Sequence, residues 1–443
     1  MQCKVNTKDL KDVLALHKKI VTKKQSYNYT FILTGVKLKT DNDSLEVITT
    51  NLEQSLKTKI ESEIVADGEV LLPFTVFENT VKACDTETIE IETIEEIKTR
   101  TKIVTIKESY QDPKTNEWIS PVTEEKDVEY TEVKCKVDKM LINAMDLEEY
   151  PKFPELKDGK VIENLPFEEL ITSISKIIKT VSTDESRVIL TGIYFDTANN
   201  QLVGTDSYIL GVKKYQFHTD IGQFNLPGKC FPILKDILKQ YKVEKFDLAV
   251  TESDTHFTIG KHIFVSRNLT GKYPDYQQLI PADFDMQVNL NCKNLIKVLD
   301  KSSKIIKDTT PQGSVIPVKF LFGKNHLEIV KTDREIGTYK DNMAIETIKG
   351  KLIYEIQKDG KPIIKAKSII QAQNYITEHF DDPENYNIIE KPGELLMAFN
   401  PHFLKKALEN FETVNLFFKD ELRPIAVKND DSLLYVVMPI RIT

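Results

Sequence analysis

The segment ILTGVKLKT at residues 32–40 recurs as ILTGIYFDT at residues 189–197. Five of the nine positions are identical, and the pairs Val36/Ile193 and Leu38/Phe195 exchange one apolar side chain for another. The two copies lie 157 residues apart, which is too far for a local repeat such as a hairpin. A shared segment at this spacing predicts duplicated domains that keep a common core.

A first helix recurs in three places along the chain. It begins near Thr7, again near Asn164 with Pro166, and again near Asn291, and each copy carries apolar residues at helical spacing. The repeated domain is therefore predicted to occur three times.

A second helix also recurs, and strands follow it. It comes after Leu72-Pro73, after Leu226-Pro227 and after Asn400-Pro401, where a proline near the helix start costs little. Alternating, β-branched sequence follows within 246–265 and 414–438, which indicates paired strands. Each repeat is thus predicted to run helix, strands, helix, strands.

The order of these elements predicts an α+β protein built from three similar domains, each with two helices against antiparallel sheets. We place the domains at residues 1–157, 158–281 and 282–443. A length of 443 residues agrees, because a single core rarely grows so large.

The first and third domains are long, and each surplus is predicted to be a local insertion. The first lies at about 97–133, where alternation in 103–106 indicates an extended β-hairpin. The second lies at about 345–392 and contains a hairpin signal at 358–361.

Composition describes a globular protein of a reducing compartment. Hydrophobic residues make up 40% and charged residues 29% of the chain. The five cysteines are odd in number and widely spaced, which argues against zinc sites and disulfides. Residues 1–19 lack the apolar stretch of a signal peptide, and no apolar run approaches membrane-spanning length. We expect a cytoplasmic protein without a membrane partner.

The sequence offers no convincing catalytic centre. The common phosphate-loop, dinucleotide, metalloprotease and nucleophile-elbow motifs are all missing from it. Asp206 is a possible nucleophile, but an aspartate capping the turn after a strand is the better interpretation. His256 and His262 are interpreted as surface imidazoles on strands rather than as metal ligands. We expect no enzyme, no metal and no cofactor.

Lysines gather on the predicted helices, although the chain carries a net charge of −8. Taken alone, this pattern fits ordinary amphipathic helices with solvated lysines. Combined with the threefold repeat, it indicates a ring with a positive helical lining that attracts phosphates without reading bases. The lysines predicted to face DNA are Lys18, Lys23, Lys24, Lys176, Lys179, Lys229, Lys235, Lys297 and Lys405.

Two motifs resemble those of a known family. GKYPDYQQLIP at 271–281 and YVVMPIR at 435–441 are similar to signatures of the bacterial-type DNA polymerase sliding clamp, the beta subunit of DNA polymerase III. Residues 187–195 and 204–206 supply two further matches. The resemblance extends over essentially the whole chain and implies three copies of one fold, closed head-to-tail with a second chain into a homodimeric ring.

The resemblance implies a function in DNA replication rather than catalysis. A processivity factor of this kind encircles double-stranded DNA without sequence specificity and tethers the replicative DNA polymerase and other clamp-binding proteins. It also implies a clamp loader as a partner. The principal alternative is a clamp-fold interaction protein that binds partner peptides without encircling DNA. A hydrolase built on Asp206 remains a weaker one.

The resemblance further implies two protein-binding sites. Clamp partners insert a short peptide with apolar anchors into a cleft between the second and third domains. The positions that correspond to this cleft are Leu190, Thr205, Leu210, Pro274, Leu279, Phe403, Val436, Met438, Pro439, Ile440 and Arg441. The positions that correspond to the dimer contact are Tyr150, Phe153, Ile305 and Ile306.

Some of these positions have a simpler interpretation, and some depart from the family. Leu190, Val436 and the pair Ile305-Ile306 could equally be ordinary core residues. The family's Thr-Asp-Gly-His-Arg-Leu is here TDSYIL at 205–210, so that a cationic edge of the cleft has become apolar. A common arginine after the Phe-Pro-Asp-Tyr signature is here Gln278. The preferred partner peptide is therefore expected to differ.

Overall fold

A computed structural model describes residues 1–22, 31–107, 110–111, 118–119, 122–310, 313–350, 352–359, 361–366, 368–380 and 382–442. The α-helices are α1 (Thr7–His17), α2 (Phe74–Ala83), α3 (Phe167–Ile177), α4 (Phe231–Tyr241), α5 (Cys292–Ile305), α6 (Ile369–His379) and α7 (Pro401–Leu408). Short 3-10 helices lie at Ile32–Thr34, Ile178–Thr180, Glu185–Leu190, Gly228–Cys230, Tyr276–Leu279 and Pro383–Asn385.

The strands of the first part of the chain are β1 (Gln2–Asn6), β2 (Gly35–Asp41), β3 (Ser44–Thr50), β4 (Gln54–Ala66), β5 (Glu69–Pro73), β6 (Thr88–Lys107), β7 (Tyr110–Gln111), β8 (Trp118–Ile119), β9 (Val122–Val137) and β10 (Met140–Asn143). The middle part contains β11 (Lys160–Pro166), β12 (Gly192–Asp196), β13 (Gln201–Thr205), β14 (Ile209–Lys214), β15 (Gln223–Pro227), β16 (Lys245–Val250), β17 (Asp254–Ile259) and β18 (His262–Arg267).

The last part contains β19 (Met286–Asn291), β20 (Val318–Phe322), β21 (His326–Asp333), β22 (Gly337–Ala344), β23 (Glu346–Lys349), β24 (Leu352–Lys358), β25 (Lys361–Ala366), β26 (Tyr386–Pro392), β27 (Leu395–Phe399), β28 (Thr413–Phe418), β29 (Ile425–Lys428) and β30 (Leu433–Val437). The order of a helix, strands, a helix and further strands therefore occurs three times, which confirms the predicted α+β class.

The predicted helix starts agree with the local chemistry. The Asn6 side chain accepts hydrogen bonds from the second and third backbone N–H groups of α1, and Asn291 caps α5 in a similar way. Helix α2 follows Pro73, and α7 begins at Pro401. These caps satisfy backbone N–H groups that the helix itself leaves without partners.

The chain forms two compact units. The first consists of Met1–Phe167 and Pro232–Asn268. Its main sheet has the strand order β10-β9-β6-β1-β4-β18-β17-β16-β11, and β2, β3 and β5 extend it from β4. Helices α1 and α2 bury residues such as Leu10, Val13 and Phe77 in its core.

The second unit consists of Glu168–Phe231 and Leu269–Thr443. Its main sheet has the strand order β15-β12-β13-β14-β30-β29-β28-β19-β23. A second sheet has the order β22-β21-β20-β27, and a third has the order β25-β24-β26. The two domain boundaries predicted from the repeats, near residues 157 and 281, stay a prediction beside this division into two units.

The two predicted insertions have different structures. In the first, β6 and β9 pair antiparallel from Ile91↔Val137 to Lys107↔Val122, which is the expected extended hairpin. In the second, β24 and β25 form the expected hairpin, but α6 and β26 complete a small module. This module has its own core, in which Ile356 and Ile376 are buried. The sequence interpretation missed that helix.

The prediction that His256 and His262 are surface residues is wrong. His256 and His262 are buried rather than on the surface. His262 Nδ1 lies 2.9 Å from Thr58 Oγ1, and the same hydroxyl lies 3.0 Å from His17 Nε2. Burial lowers the pKa of His17 to about 3 and that of His262 to about 4, because a charged imidazolium would lose its hydration there. These imidazoles are neutral parts of a packed interior.

No described helix combines the length and apolar character that crossing a membrane requires.

Candidate functional site

The turn between β13 and β14 is held by its own side chains. Asp206 Oδ1 accepts hydrogen bonds from the N–H groups of Tyr208 and Ile209, both at 2.9 Å. Thr205 Oγ1 donates to the Ile209 carbonyl at 2.8 Å. Asp206 is therefore the turn-capping residue that the sequence predicts, and its carboxylate is occupied by backbone donors.

Strand β14 pairs with β30 and joins two parts of the predicted cleft. Leu210 lies opposite Val436 in this pairing. Both side chains are buried in one cluster with the aromatic rings of Tyr273 and Tyr276. Two residues of the predicted cleft are thus buried rather than accessible at the surface.

Other predicted cleft residues leave part of their side chains open to solvent. Met438 is 40% exposed and Leu279 is 46% exposed, and Pro274 is also exposed. Phe403 is half-buried and stacks on Tyr208. The Met438 N–H donates to the Tyr208 carbonyl at 2.9 Å, which fixes the methionine beside this ring pair. Unbranched methionine suits a surface that must adapt to different partners.

The remaining predicted cleft residues differ in exposure. Leu190 ends a 3-10 helix and is buried, and Thr205 is buried in the turn. Pro439 and Ile440 are half-buried, and the Ile440 N–H donates to the Ala398 carbonyl at 2.7 Å. Arg441 is exposed. The cleft assignment as a whole stays a prediction.

Aromatic residues that the predicted site does not include pack in one cluster with Leu210 and Val436. Tyr194 stacks on Tyr273 with centroids 4.3 Å apart, and Tyr276 donates its hydroxyl hydrogen to Asp196. Burial raises the pKa of Tyr194 to about 12 and raises the pKa of Tyr273 and Tyr276 further, so that all three phenols are neutral. Tyr273 and Tyr276 stand inside the quoted GKYPDYQQLIP motif, and that motif was the signal available for finding them.

The predicted DNA-facing lysines differ in their surroundings. Lys18 lies 2.9 Å from Glu78, Lys405 lies 3.1 Å from Asp300, and Lys179 pairs with Glu409. The Lys179–Glu409 pair is exposed on both sides, and an exposed ion pair adds little stability. Glu78, by contrast, is buried, so its pairing with Lys18 holds a buried carboxylate.

Lys235 and Lys297 are exposed on α4 and α5, and Lys229 is exposed just before α4, whereas Lys176 is half-buried. Lys23 and Lys24 lie outside the described residues.

The predicted dimer-contact residues are only partly accessible. Tyr150 is buried in its own unit, where its hydroxyl accepts from the Thr50 N–H at 3.2 Å. Phe153 is half-buried. Ile306 is buried, whereas Ile305 is 55% exposed at the end of α5. Ile305 thus offers the largest apolar surface of this set.

Within the described residues, no group of His, Cys, Asp and Glu side chains has the arrangement of a metal site. The predicted cleft residues instead combine exposed apolar side chains such as Met438 and Leu279 with the buried pair Leu210 and Val436. This chemistry fits protein recognition.

Comparisons with known proteins define the class. The family models for the N-terminal domain and for the central domain of the DNA polymerase III beta subunit match residues 1–154 and 164–275. The "Beta sliding clamp" of Halalkalibacterium halodurans is 26% identical over 358 residues, covering 77% of this chain and 84% of that protein. The Bacillus subtilis "Beta sliding clamp" is 24% identical and covers 93% of this chain and 92% of that protein.

Solved structures show the same fold. The Bacillus subtilis DNA polymerase sliding clamp aligns over 100% of both chains with a TM-score of 0.72 and 21% identity. The DNA polymerase III subunit beta of Pseudomonas aeruginosa aligns over 100% of both chains with a TM-score of 0.73 and 17% identity.

Fold and comparisons together define a protein built from a repeated α+β domain of the sliding-clamp type. The chain belongs to the DNA polymerase III beta subunit family, the bacterial sliding clamps. Its function is that of a DNA polymerase processivity factor.

Proposed function

We propose that two copies of this chain close head-to-tail into a ring that encircles duplex DNA and tethers the replicative polymerase. The ring makes and breaks no covalent bond. It raises the local concentration of the polymerase at the primer end, and a clamp loader opens it. The observation that carries this proposal is a strand pairing that occurs once inside each unit.

In the first unit this pairing joins β4 to β18. The strands run antiparallel from Thr58↔His262 to Gln54↔Ser266. In the chain order of the repeats, β4 is the third strand after the first helix of one repeat, and β18 is the last strand of the next.

The second unit contains the equivalent pairing between β14 and β30. It runs antiparallel from Ile209↔Val437 to Lys213↔Leu433. Again the third strand after a first helix meets the last strand of the following repeat. A chain of three repeats therefore uses this joint twice.

Two strands do not take part in such a joint within the described chain: one third strand after a first helix, and one last strand of a repeat. In the third repeat the equivalent of β4 and β14 is β22, which ends its described sheet. In the first repeat the last strand is β10, which ends the described main sheet of its unit. A strand at a sheet edge presents backbone N–H and C=O groups to another chain. A contact repeated by rotation closes a ring, so β22 of one copy is expected to pair with β10 of the other.

Apolar side chains at this edge support the proposed contact. Met140 and Leu141 of β10 are 46% and 45% exposed. Helix α5 packs against β22 and ends at the exposed Ile305. Burying these side chains against a second copy would favour closure. We therefore retain Ile305 from the predicted dimer set and add the edge of β10.

The other partners follow from the two remaining surfaces. Exposed lysines such as Lys235 and Lys297 would attract the DNA backbone through release of counterions, without reading sequence. The apolar surface around Met438, Leu279 and Phe403 would receive the peptide of a polymerase or of another clamp-binding protein. The domain boundaries near residues 157 and 281 remain part of this proposal.

Sedimentation of the purified chain tests ring closure and separates it from the alternative, a clamp-fold protein that binds peptides without encircling DNA. The ring predicts a species near twice the chain mass of 50.8 kDa. Leu141→Asp should shift it towards the single chain, because a carboxylate would be buried in the joint. Ile370→Asp is the matched control, since Ile370 is 65% exposed on the inserted module. A wild type that sediments only as a single chain would contradict the proposal.

A further inference from the structure

The first unit contains an open pocket that the proposed cleft does not use. Its volume is about 520 Å³, within the usual range for ligand pockets. The residues that define it include Ile32, Leu33, Asn51, Leu52, Glu149 and Pro151. Ile32 and Leu33 begin the repeated ILTG segment, so that this pocket belongs to the first copy of that segment.

The turn beside this pocket repeats the turn beside the proposed cleft. The Leu52 N–H donates to Thr50 Oγ1 at 3.1 Å, and the Ser207 N–H donates to Thr205 Oγ1 at 3.1 Å. Leu52 and Ser207 both have positive φ, at 71° and 79°. A non-glycine residue in this conformation is uncommon, so its occurrence at both positions marks the turns as equivalent.

The 3-10 helices beside the two turns are also equivalent. Thr34 Oγ1 donates to the Phe31 carbonyl at 2.7 Å, and Thr191 Oγ1 donates to the Val188 carbonyl at 2.7 Å. Phe31 and Val188 are both large exposed apolar residues, at 63% and 52%. The same backbone therefore presents apolar side chains at the same place in both repeats.

The adjoining strands meet the turns in the same way. The Arg267 N–H donates to the Glu53 carbonyl at 2.8 Å, as the Met438 N–H donates to the Tyr208 carbonyl at 2.9 Å. The pocket of the first unit is therefore the repeat equivalent of the proposed cleft, built from the joint of β4 and β18.

The two sites differ in charge. The motif Glu149-Tyr150-Pro151 corresponds to Lys272-Tyr273-Pro274, so that a carboxylate replaces an ammonium group at the same position. Glu149 and Lys272 are both exposed. A peptide that suits one border should be disfavoured at the other, because like charges repel.

We propose that the pocket of the first unit is a second peptide-docking site, which takes an extended segment of a partner protein carrying a large apolar side chain next to lysine or arginine. The apolar floor of Ile32, Leu33 and Pro151 would hold the anchor, and Glu149 would pair with the basic residue. The comparison with the cleft rests on the proposed function of that cleft. The pocket itself and the charge at its border do not depend on that proposal.

Fluorescence anisotropy with labelled synthetic peptides tests this site in the full-length protein. The probes are a short peptide with a central Leu-Phe pair between lysines and the same peptide with glutamates. The wild type should bind the lysine peptide more tightly. Glu149→Lys, which installs the residue of the second repeat, should weaken that binding by about 3- to 10-fold, as expected for reversing a charge at the border of a site.

Two controls make the result specific. Glu148→Lys changes the charge by the same amount at the neighbouring exposed position and should leave binding within twofold, or about 0.4 kcal/mol. Met438→Ala alters only the proposed cleft and should leave the lysine peptide unaffected. Loss of polymerase binding in that variant reports on the cleft alone, so the two proposals can fail separately.

Three outcomes would overturn the inference. One is equal weakening by Glu149→Lys and Glu148→Lys, which would indicate general charge attraction. Another is equal binding of both peptides by the wild type. The third concerns residues 23–30, which join Thr22 to Phe31 in sequence. A variant can replace these residues by a Gly-Ser linker. If only this variant bound the lysine peptide, the native pocket would be closed to partners.

Discussion

Tyr208 lies face to face with Phe403, with ring centroids 5.5 Å apart and planes 11° from parallel. Tyr208 is 56% exposed, and Lys406 Nζ lies 5.5 Å above the Phe403 ring. The pair joins the turn before β14 to helix α7. An exposed aromatic ring held in place by a second ring loses little entropy on binding and is a favourable anchor for a partner.

Tyr208→Ala should weaken binding of a polymerase-derived peptide by about tenfold, because the peptide loses an aromatic neighbour and Phe403 loses its stacking partner. Tyr208→Phe should keep most of the affinity, since the ring remains. Isothermal titration calorimetry with one peptide and both variants checks this. An alanine variant that binds as tightly as the wild type would remove the ring pair from the cleft.

Asp206→Asn should leave both the fold and peptide binding unchanged. The equivalent residue of the first repeat is Asn51, whose Oδ1 already accepts from the Gln54 N–H at 2.7 Å in the same kind of turn. Asp206→Ala should instead loosen the turn and weaken binding several-fold, because two backbone N–H groups lose their acceptor. Equal loss of binding by both variants in the same titration would show that the negative charge of the carboxylate contributes to peptide binding. Capping of the turn alone would then not explain the role of Asp206.

Stability should fall as pH drops from 7 to 5, and the buried histidines should contribute to that loss. His17 and His262 have folded pKa values of about 3 and about 4, below the ordinary 6.5. Below pH 6.5 the unfolded chain takes up protons that the folded chain does not, so unfolding is favoured by about 2 kcal/mol per histidine at pH 5.

Urea unfolding midpoints at pH 7 and pH 5 measure this effect. The His262→Gln variant should lose less stability on acidification than the wild type, because one titrating group is gone. The exposed His379→Gln variant should behave as the wild type does. An identical pH response in wild type and His262→Gln would contradict the buried, neutral state of that imidazole.

Binding to duplex DNA should depend on salt through the exposed helix lysines. Removing Lys235 or Lys297 should reduce the slope of log K against log salt by about 0.9 for each phosphate that the variant no longer neutralises. Lys428→Ala is the control, because Lys428 ends strand β29 and does not belong to the helix lysines predicted to face DNA. Filter binding across a salt series gives the slopes, and equal slopes for all variants would exclude these two lysines from the DNA-facing surface.

Much of the fold was predictable because it repeats. Helix starts at Thr7 and Asn291 and the strands around 246–265 follow local signals that do not depend on distant parts of the chain. The module between β24 and β26 was harder, since α6 has a mixed polar sequence and its core forms only when Ile356 and Ile376 meet. Local pattern does not reveal such a pairing.

Site residues were predictable in position but not in exposure. The motifs identified Leu210 and Val436, yet only the pairing of β14 with β30 shows that both are buried. His262 had the polar character of a surface residue, and its burial depends on a hydroxyl of Thr58, which is 204 residues away. Burial is a property of the tertiary structure, and single residues carry little of that information.

Retention on nicked circular DNA tests the central claim most directly, because only a closed ring is held by topology rather than by affinity. After loading by a clamp loader and a high-salt wash, the protein should stay on the nicked circle and should be lost when the same DNA is cut to a linear form. Equal loss from circular and linear DNA would contradict encirclement and would favour a scaffold that binds partners without enclosing the duplex.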